Sequence, residues 1–229
     1  MILSILKKMT SLNYIIYTAF CILLLLLVEV KPQQTISRPD LREAHTATLI
    51  NDKLYILGGV IPPYLNKAPP KETFLYLDCS VPFNTNELKW MDLTNSGVIP
   101  PHYFSAAVKG GASNNTLFLY GGESIGGEPM SLVYTFNTLS NTWSVPIIAG
   151  TSPSGKAGIT PIVDYSGLTY LYSGAINVIY NGSTNTNDMF ILDTINLNWK
   201  RASSINAPSS RISYGAVLLP DKNILYMGM

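Results

Sequence analysis

The stretch KLYILGG at residues 53–59 is a short apolar run that ends in two glycines, and it recurs along the chain. TLFLYGG follows at residues 116–122, LTYLYSG at residues 168–174 and NILYMG at residues 223–228. Aromatic and branched residues of this kind favour strands, and a glycine pair allows backbone angles that other residues avoid. The repeat predicts a series of equivalent β-strands.

A tryptophan follows each of the first three copies at a nearly constant distance. Trp90 and Trp143 are 53 residues apart, and Trp143 and Trp199 are 56 residues apart. The last two tryptophans end matching stretches, FNTLSNTW at residues 136–143 and LDTINLNW at residues 192–199, whereas the first unit carries about six extra residues before Trp90. Regular spacing of two unlike elements indicates a tandem structural repeat.

Each repeat divides into four short apolar runs, separated by Gly, Asn, Asp, Ser and Pro clusters. This pattern is typical of antiparallel strands joined by turns, and no segment between them has a helical period. The predicted strands are 46–50, 54–57, 74–78 and 89–93; 105–109, 117–120, 132–137 and 142–145; 159–164, 169–172, 189–193 and 198–202; and 214–218 and 224–227.

The composition supports an all-β fold and argues against a polyanion as partner. Of the 229 residues, 47% are hydrophobic and 13% are charged, with 17 Gly, 15 Pro and 14 Tyr. Helical proteins favour Ala, Leu, Glu and Lys instead. Because 15 Lys and Arg face 14 Asp and Glu, the formal net charge is +1, and we expect no nucleic-acid binding.

The first thirty residues are typical of a targeting segment that precedes the fold. Lys7 and Lys8 come before an apolar run at residues 14–28, which predicts a hydrophobic helix at the N-terminus. The run fits a cleaved signal peptide, and an uncleaved signal anchor that crosses the membrane through residues 12–28 is the alternative. In both cases the flanking lysines keep the N-terminus inside, so the rest of the chain is expected to be extracytoplasmic, either secreted or membrane-anchored.

Two Asn-x-Ser/Thr sequons agree with export. Asn114 and Asn181 are the acceptor residues, and both lie in polar stretches that predict exposed loops. Cys21 falls in the targeting run, which leaves Cys79 as the one thiol of the exported part. A disulfide framework within the chain is therefore excluded, and Cys79 is expected to pack in a strand as a small apolar residue, with pairing to another chain as the alternative.

The repeats resemble the kelch-repeat β-propellers, through the glycine pair that closes the second strand and the Asp/Asn-x-x-x-x-x-Trp stretch that enters the fourth. The likeness covers residues 42–228. Glycines let a neighbouring chain approach, and a large aromatic residue fills the gap between adjacent blades. The family pattern is broken at Ser173, which replaces the first glycine of the third unit, and at Met229, which replaces the second glycine of the fourth.

The resemblance implies a partial kelch-type β-propeller of about three and a half four-stranded antiparallel blades. The blades are expected at residues 42–98, 99–150, 151–205 and, in part, 206–229, after a linker at residues 31–41. Propellers close with typically 4 to 8 blades, and an open stack leaves a strand edge unpaired. We therefore interpret the sequence as a truncated product whose complete parent has six or seven blades.

Two apparent chemical motifs have simpler explanations. Residues 150–156 fit G-x-x-x-x-G-K, but Ala157 stands where a nucleotide-binding loop needs Ser or Thr for Mg²⁺, and Pro161 follows too closely for a helix. This segment is predicted to be a loop. Secreted kelch-like proteins that resemble galactose oxidase hold copper with two His and two Tyr, but His45 and His102 stand in different units at no ligand spacing. His45 is expected at a strand position equivalent to Phe104 and Tyr214.

The sequence contains no nucleophile with a nearby base and no paired carboxylates, so we predict no catalytic residues, no metal site and no cofactor. Asp78, Asn137 and Asp193 match between repeats and indicate turn capping. The function expected is a non-catalytic extracellular interaction module that binds protein or glycan through its loops; the alternative is a truncated galactose-oxidase-like secreted copper enzyme that lacks its catalytic part. The candidate ligand-binding residues are Tyr64, Lys67, Glu123, Glu128 and Tyr180 after the second strands, and Arg42, His102 and Arg211, which the resemblance places at matching positions before the first strands.

Overall fold

The computed structural model describes residues 34–63, 68–97, 99–176 and 184–228. Across these ranges the chain consists of β-strands and loops, with one 3-10 turn at Thr94–Ser96. None of the helices in these ranges is long and apolar enough to cross a membrane. The predicted N-terminal helix and leader lie outside the described residues, and the all-β fold class is confirmed.

The first sheet contains β1 (Thr35–Ile36), β2 (Thr46–Ile50), β3 (Lys53–Leu57), β4 (Phe74–Asp78) and β5 (Trp90–Asp92), in the order β1-β5-β4-β3-β2. Every neighbouring pair is antiparallel. Strands β2 to β5 match the four strands predicted for the first unit. The two-residue strand β1 adds an outer edge from the segment predicted to be a linker.

The second unit runs from β6 (His102–Tyr103) through β7 (Ala106–Gly110), β8 (Thr116–Tyr120), β9 (Glu123–Ser124) and β10 (Val133–Asn137) to β11 (Thr142–Ser144). Its main sheet has the order β11-β10-β8-β7, and β6 pairs with β9 in a separate small ladder. All four predicted strands of this unit are confirmed to within one residue at most ends. The small ladder was not predicted, and it carries two of the candidate binding residues, His102 and Glu123.

The third unit contains β12 (Ala149–Gly150), β13 (Ile162–Val163), β14 (Leu168–Tyr172), β15 (Ala175–Ile176), β16 (Thr184–Asn185), β17 (Met189–Asp193) and β18 (Asn198–Arg201). Its sheet has the order β12-β18-β17-β14-β13, and β15 pairs with β16. The last two strands, β19 (Gly215–Leu218) and β20 (Ile224–Met227), form the predicted hairpin of the fourth unit.

Equivalent residues pair in the same register in each sheet. Leu57 lies opposite Phe74, Tyr120 opposite Val133 and Tyr172 opposite Met189. The tryptophans follow the same rule, with Trp90 opposite Leu77, Trp143 opposite Phe136 and Trp199 opposite Leu192. The three units are therefore copies of one structural element, as their sequence spacing predicts.

Aromatic side chains fill the space between adjacent sheets. Phe74 of the first unit lies 4.8 Å from Phe136 and 5.2 Å from Trp143 of the second, measured between ring centroids. At the next junction Trp199 lies 5.9 Å from Tyr120. Rings at these distances pack edge-on or tilted, which adds to the free energy gained by burying them. Trp143 and Trp199 thus act as the inter-blade wedges that the sequence predicts.

The turn positions that recur between the repeats are capped as predicted. The backbone N–H of Ser80 donates to Oδ1 of Asp78 at 2.9 Å, and Leu139 donates to Asn137 in the same way. The third unit repeats the contact from Ile195 to Asp193 at 3.0 Å. A side-chain oxygen that bonds the backbone two residues later stabilises a turn, which explains why Asp and Asn recur here.

Four details differ from the sequence expectations. Ala149–Gly150, placed in the second blade, pairs in parallel with the outer strand β18 of the third. Strand β13 covers only residues 162–163 of the predicted 159–164, and Pro161, which has no N–H, stands directly before it. Cys79 is exposed, because it is the first residue after β4 and not part of a strand. His45 is equivalent to Ser105 and Tyr214 and not to Phe104, since Thr46, Ala106 and Gly215 pair in matching register.

Candidate functional site

The loops that enter the first strands and the loops that leave the second strands lie at one end of the sheets. Glu43 bridges to Val60 in the first unit, Tyr103 pairs with Glu123 in the second, and Ala157 bridges to Ala175 in the third. We call this end the glycine face and define it by residues 42–44, 58–60, 102–104, 121–124, 156–158, 173–175 and 211–213. The loops before the first strands and the described beginnings of the loops after the second strands therefore meet at one surface.

Backbone hydrogen bonds join the units to one another along the glycine face. The N–H of Gly59 donates to the His102 carbonyl at 2.8 Å, Gly122 donates to Lys156 at 2.9 Å, and Gly174 donates to Arg211 at 3.1 Å. The junctions repeat because the glycine pairs repeat. The glycine face is thus held by main-chain contacts, which do not depend on the identity of the loop side chains.

A second row of hydrogen bonds runs parallel to the first. Phe104 donates to the Ala44 carbonyl at 2.8 Å, Gly158 to Phe104 at 3.0 Å, and Ser213 to Gly158 at 2.8 Å. All four residues have positive φ, from 52° to 70°. The four positive-φ residues are therefore equivalent. The residues two positions before them are equivalent as well, and these are Arg42, His102, Lys156 and Arg211.

The prediction found three of these four equivalent positions and missed Lys156. The sequence around Lys156 resembles a nucleotide-binding motif and predicts only a loop. A signal was available, because Lys156 lies 17 residues before Ser173 just as Arg211 lies 17 residues before Gly228. The segment 151–156 is indeed a loop without helix, and the Tyr120 hydroxyl donates to the Ser154 carbonyl at 2.7 Å.

Arg42 is held within the first unit. Its Nη1 donates to the Glu72 carbonyl at 2.6 Å, and its Nη2 lies 3.7 Å from the Glu72 carboxylate, with only 6% of the Arg42 side chain exposed. Burial lowers the pKa of Arg42, and the charges of Glu72 and Asp40 oppose that shift. The guanidinium therefore stabilises the loop at residues 68–72, and these intramolecular contacts leave little of it accessible to a ligand.

Lys156 is also neutralised inside the protein. Its ammonium group pairs with the Asp188 carboxylate and lies 5.6 Å from the centre of the Phe190 ring. Partial burial tends to raise the pKa of Asp188, but hydrogen bonds from Lys156 and Thr186, together with the charge of Lys156, hold this pKa below its usual value. Since the side chain of Lys156 is 2% exposed, this lysine has a structural role.

Arg211 differs from the other two cations because backbone and hydroxyl groups hold it. Its Nε and Nη2 donate to the carbonyl and hydroxyl of Ser209, each at 3.2 Å, and its Nη1 donates to the Gly228 carbonyl at 3.3 Å. Neutral acceptors leave its positive charge uncompensated locally, so this half-buried guanidinium can attract an anionic group.

His102 lies in the interior and not on the loop surface. The side chain and backbone together are 4% exposed, and Nδ1 lies 2.9 Å from the Pro100 carbonyl. Burial lowers the pKa of His102, and the hydrogen bond to Pro100 partly opposes this shift. We therefore assign the His102 side chain to the packing between the first two units, and only the backbone of His102 contributes to the glycine face.

The remaining candidate residues have different surroundings. Glu128 is exposed in the loop at residues 125–132, and Glu123 is half-buried in β9. Tyr64, Lys67 and Tyr180 lie outside the described residues, as does the sequon at Asn181. Asn114 is exposed in the turn between β7 and β8, at the end of the sheet opposite the glycine face.

In the parts of the chain that the structure covers, no three His, Cys, Asp or Glu side chains are grouped so that they could hold a metal ion. His45 lies on an exposed part of the loop before β2, and His102 is buried at the junction.

Comparison with known sequences decides the family. The profile of the KLHDC2/KLHL20/DRC7 Kelch-repeats domain matches residues 44–229, which is most of the chain. This protein belongs to the kelch-repeat family. Kelch-repeat domains generally mediate protein interactions and are generally non-catalytic.

Individual relatives of this kelch domain are distant in sequence. Kelch domain-containing protein 3 of Rattus norvegicus and that of Mus musculus are each 24% identical over 202 residues, which covers 82% of this chain and 48% of the relative. The Homo sapiens protein of the same name is 23% identical over 184 residues, or 73% of this chain and 43% of the relative. The chain thus spans about half the length of the curated relatives it matches.

Proposed function

We propose that this kelch domain is an extracytoplasmic, non-catalytic module that binds a protein partner through the loops of its glycine face. The observation that carries the proposal is that the loop before the first strand of each unit pairs with the loop after its second strand. Backbone bridges at Glu43, Tyr103 and Ala157 fix variable loops on a rigid sheet framework. Loops held in this way supply recognition without a catalytic group.

The exposed charges of this surface suggest what the partner offers. Glu128, in the loop after β9, is exposed, and Arg211 forms no ion pair with a carboxylate in the described part of the chain, whereas Arg42 and Lys156 are already paired. A partner with both a cationic and an anionic group, as a polypeptide has, fits this arrangement better than a uniformly charged polymer. Glycan remains the second ligand class expected from the sequence.

Site-specific photocrosslinking tests the binding surface. A benzophenone amino acid replaces Glu128, in the loop that leaves the glycine face after β9, or, as the matched control, Leu139, which is 75% exposed in the turn at the opposite end of the same sheet. We expect the Glu128 position to give discrete crosslinked protein bands on intact cells and the Leu139 position to give none. Equal crosslinking at both positions, or crosslinking at Leu139 alone, would contradict the proposal.

Export is tested independently through the sequon at Asn114. The full chain is expressed in a eukaryotic cell, and its gel mobility is compared before and after removal of N-glycans. Asn114→Gln and Thr116→Val remove the sequon, whereas Asn115→Gln changes the neighbouring residue and keeps it. We expect the first two variants to lose a glycan that the third retains. A wild-type chain that carries no glycan at either sequon would count against an extracytoplasmic location.

A further inference from the structure

The ring of His102 is enclosed at the junction between the first two units. The backbone carbonyl of His102 accepts a hydrogen bond from the Gly59 N–H at 2.8 Å. A Cβ placed on Gly58 would stand 2.8 Å from both Cδ2 and Nε2 of the His102 ring. The imidazole therefore lies against the bare glycine backbone. A first glycine is needed at this junction because it leaves the space that the ring occupies.

The hydrogen bond to Pro100 defines the proton position on the neutral ring. A carbonyl oxygen only accepts, so Nδ1 must carry the proton that it shares with Pro100 at 2.9 Å. Nε2 then presents a lone pair. Nε2 is buried and has no hydrogen-bond partner in the described part of the chain.

The cavity beside the ring has room for little water that could solvate a positive charge. Its volume is about 20 Å³, which is enough for one water molecule. Its lining is mainly apolar, with two threonines: Leu57, Thr73, Phe74, Thr94, Ile99 and Trp143 are among the residues that form it. Protonation of Nε2 would create a positive charge and a buried N–H donor, with room for about one water molecule as its hydrogen-bond acceptor.

Among the residues that the structure describes, no charged side chain lines the cavity. Arg42, Glu43 and Glu72 belong to the loops of the first unit, Asp92 ends β5, and Glu123 lies on β9 opposite Tyr103, and none of them forms part of the lining. Arg42 and Glu72 are paired with each other. Protonated His102 would therefore have no carboxylate to stabilise it within this cavity.

We propose that His102 is a proton-sensitive lock between the first two blades, closed when the ring is neutral and released when acid protonates Nε2. Release separates the ring from Gly58 and breaks the Gly59 to His102 hydrogen bond. Strand β6, which carries His102, is also the strand that positions the β9 segment of the glycine face. The lock concerns the contact between blades and does not depend on the proposed binding function.

The sign of the pH effect follows from burial. Burial lowers the pKa of His102 in the folded protein, whereas the unfolded chain takes up its proton near the ordinary value of about 6.5. The unfolded state then binds more protons, so stability is fully present above about pH 6.5 and is lost as the pH falls below it. The folding equilibrium constant is expected to fall by up to about tenfold for each pH unit below that point.

The two histidines of the chain provide a matched experiment. The melting temperature of the full chain is measured between pH 7.5 and pH 5.0 for wild type, His102→Gln and His45→Gln. We expect it to fall most with acid in wild type, slightly less in His45→Gln, because burial and the charge of Arg42 also lower the pKa of His45, and least in His102→Gln. An equal pH slope in wild type and His102→Gln would overturn the proposal.

Amide hydrogen exchange tests the lock in the wild-type chain, should His102→Gln fail to fold. The Gly59 amide bonds to His102, and the Gly122 amide makes the equivalent bond to Lys156 at the next junction. After correction for intrinsic rates, acid is expected to lower the protection of Gly59 more than that of Gly122. Equal loss of protection at both amides, or none at Gly59, would show that His102 is not the lock.

Discussion

The hydroxyl oxygen of Ser173 accepts the backbone N–H of Arg211 across a junction between units, at an Oγ···N distance of 2.7 Å. The same hydroxyl lies 2.6 Å from the Thr186 carbonyl, to which it donates. Ser173 is fully buried and has a φ of 61°, in the region that favours glycine. The departure from the glycine pair is therefore compensated, because the serine ties the third unit to the fourth with its side chain.

Two substitutions of Ser173 distinguish the contribution of its hydrogen bonds to stability from the cost of its backbone strain. Ser173→Ala keeps the Cβ at positive φ but leaves the Arg211 N–H without its acceptor, which is expected to cost about 1–3 kcal/mol of unfolding free energy. Ser173→Gly loses the same bonds but relieves a strain of about 1 kcal/mol, so it is expected to be the milder variant. Denaturant titration of both variants measures the difference. An alanine variant as stable as wild type would show that the hydroxyl contributes nothing at this junction.

Gly121 is expected to be far less tolerant of a side chain than Gly127. Both have positive φ, 59° and 80°, but a Cβ on Gly121 would overlap the Lys156 carbonyl, whereas nothing lies within 4 Å of a Cβ on Gly127. Gly127→Ala should cost only the backbone strain, about 1 kcal/mol. Gly121→Ala should cost at least about 3 kcal/mol, because the neighbouring unit must move. Melting curves of the two variants compare them directly, and equal shifts would contradict the close approach.

Trp143 is expected to stabilise the first junction mainly through its ring. Its centroid lies 5.2 Å from that of Phe74 and 4.9 Å from that of Phe136, and Nε1 donates to the Ser96 hydroxyl at 3.2 Å. Trp143→Ala should lower the unfolding free energy by about 3 kcal/mol or more. Trp143→Phe keeps an aromatic ring and loses the hydrogen bond, which should cost only about 1 kcal/mol beyond any repacking. Urea unfolding measures both; similar losses would show that the hydrogen bond, and not the ring, dominates.

The Lys156–Asp188 pair is expected to show a characteristic pH dependence. Lys156→Met should destabilise the domain by about 2 kcal/mol at pH 7, because it leaves a partly buried carboxylate without its cation. The pKa of Asp188 is lowered in the folded state, so its stabilising contribution is present above its unfolded pKa of about 3.9 and is lost as the pH falls through the folded value. The difference between wild type and variant should therefore narrow in acid.

A double variant distinguishes loss of the ion pair from loss of packing by the aliphatic part of the Lys156 side chain. Lys156→Met combined with Asp188→Asn removes both charges, and it should recover part of the stability that the single variant loses. Unfolding titrations at neutral and acidic pH cover all three proteins. A double variant that is no more stable than Lys156→Met would mean that packing of the lysine chain, and not the ion pair, matters.

The sequence predicted most of the strands because each one carries its own local signal. Met189–Asp193, Thr46–Ile50 and Phe74–Asp78 match their predicted bounds, since apolar residues end there at turn-forming Asp or Asn. Strands β1 and β12 were missed because two residues give no periodicity, and both are formed only by pairing with the outer strand of a sheet. Cys79 was placed in a strand by its apolar neighbours, although Asp78 already ends β4.

The candidate site was predicted less completely than the fold. The repeat indicated that Arg42, His102 and Arg211 are equivalent, and the structure places all three on the same end of the sheets. Their accessibility could not be predicted, because it depends on partners distant in sequence: Glu72 for Arg42 and the cavity between units for His102. Lys156 was overlooked because its local sequence resembled a different motif.

The amino-acid sequence alone determined the repeating unit, its strand order and the positions of the tryptophans, because these depend on alternation and spacing within about fifty residues. The tertiary structure decided which of the equivalent cations are neutralised, which histidine is buried, and how Ser173 replaces a glycine. These properties arise at the junctions between units, where residues such as Gly58 and His102, or Ser173 and Arg211, come into contact. Burial and hydrogen bonding there depend on the three-dimensional neighbours of a residue and not on its neighbours in the chain.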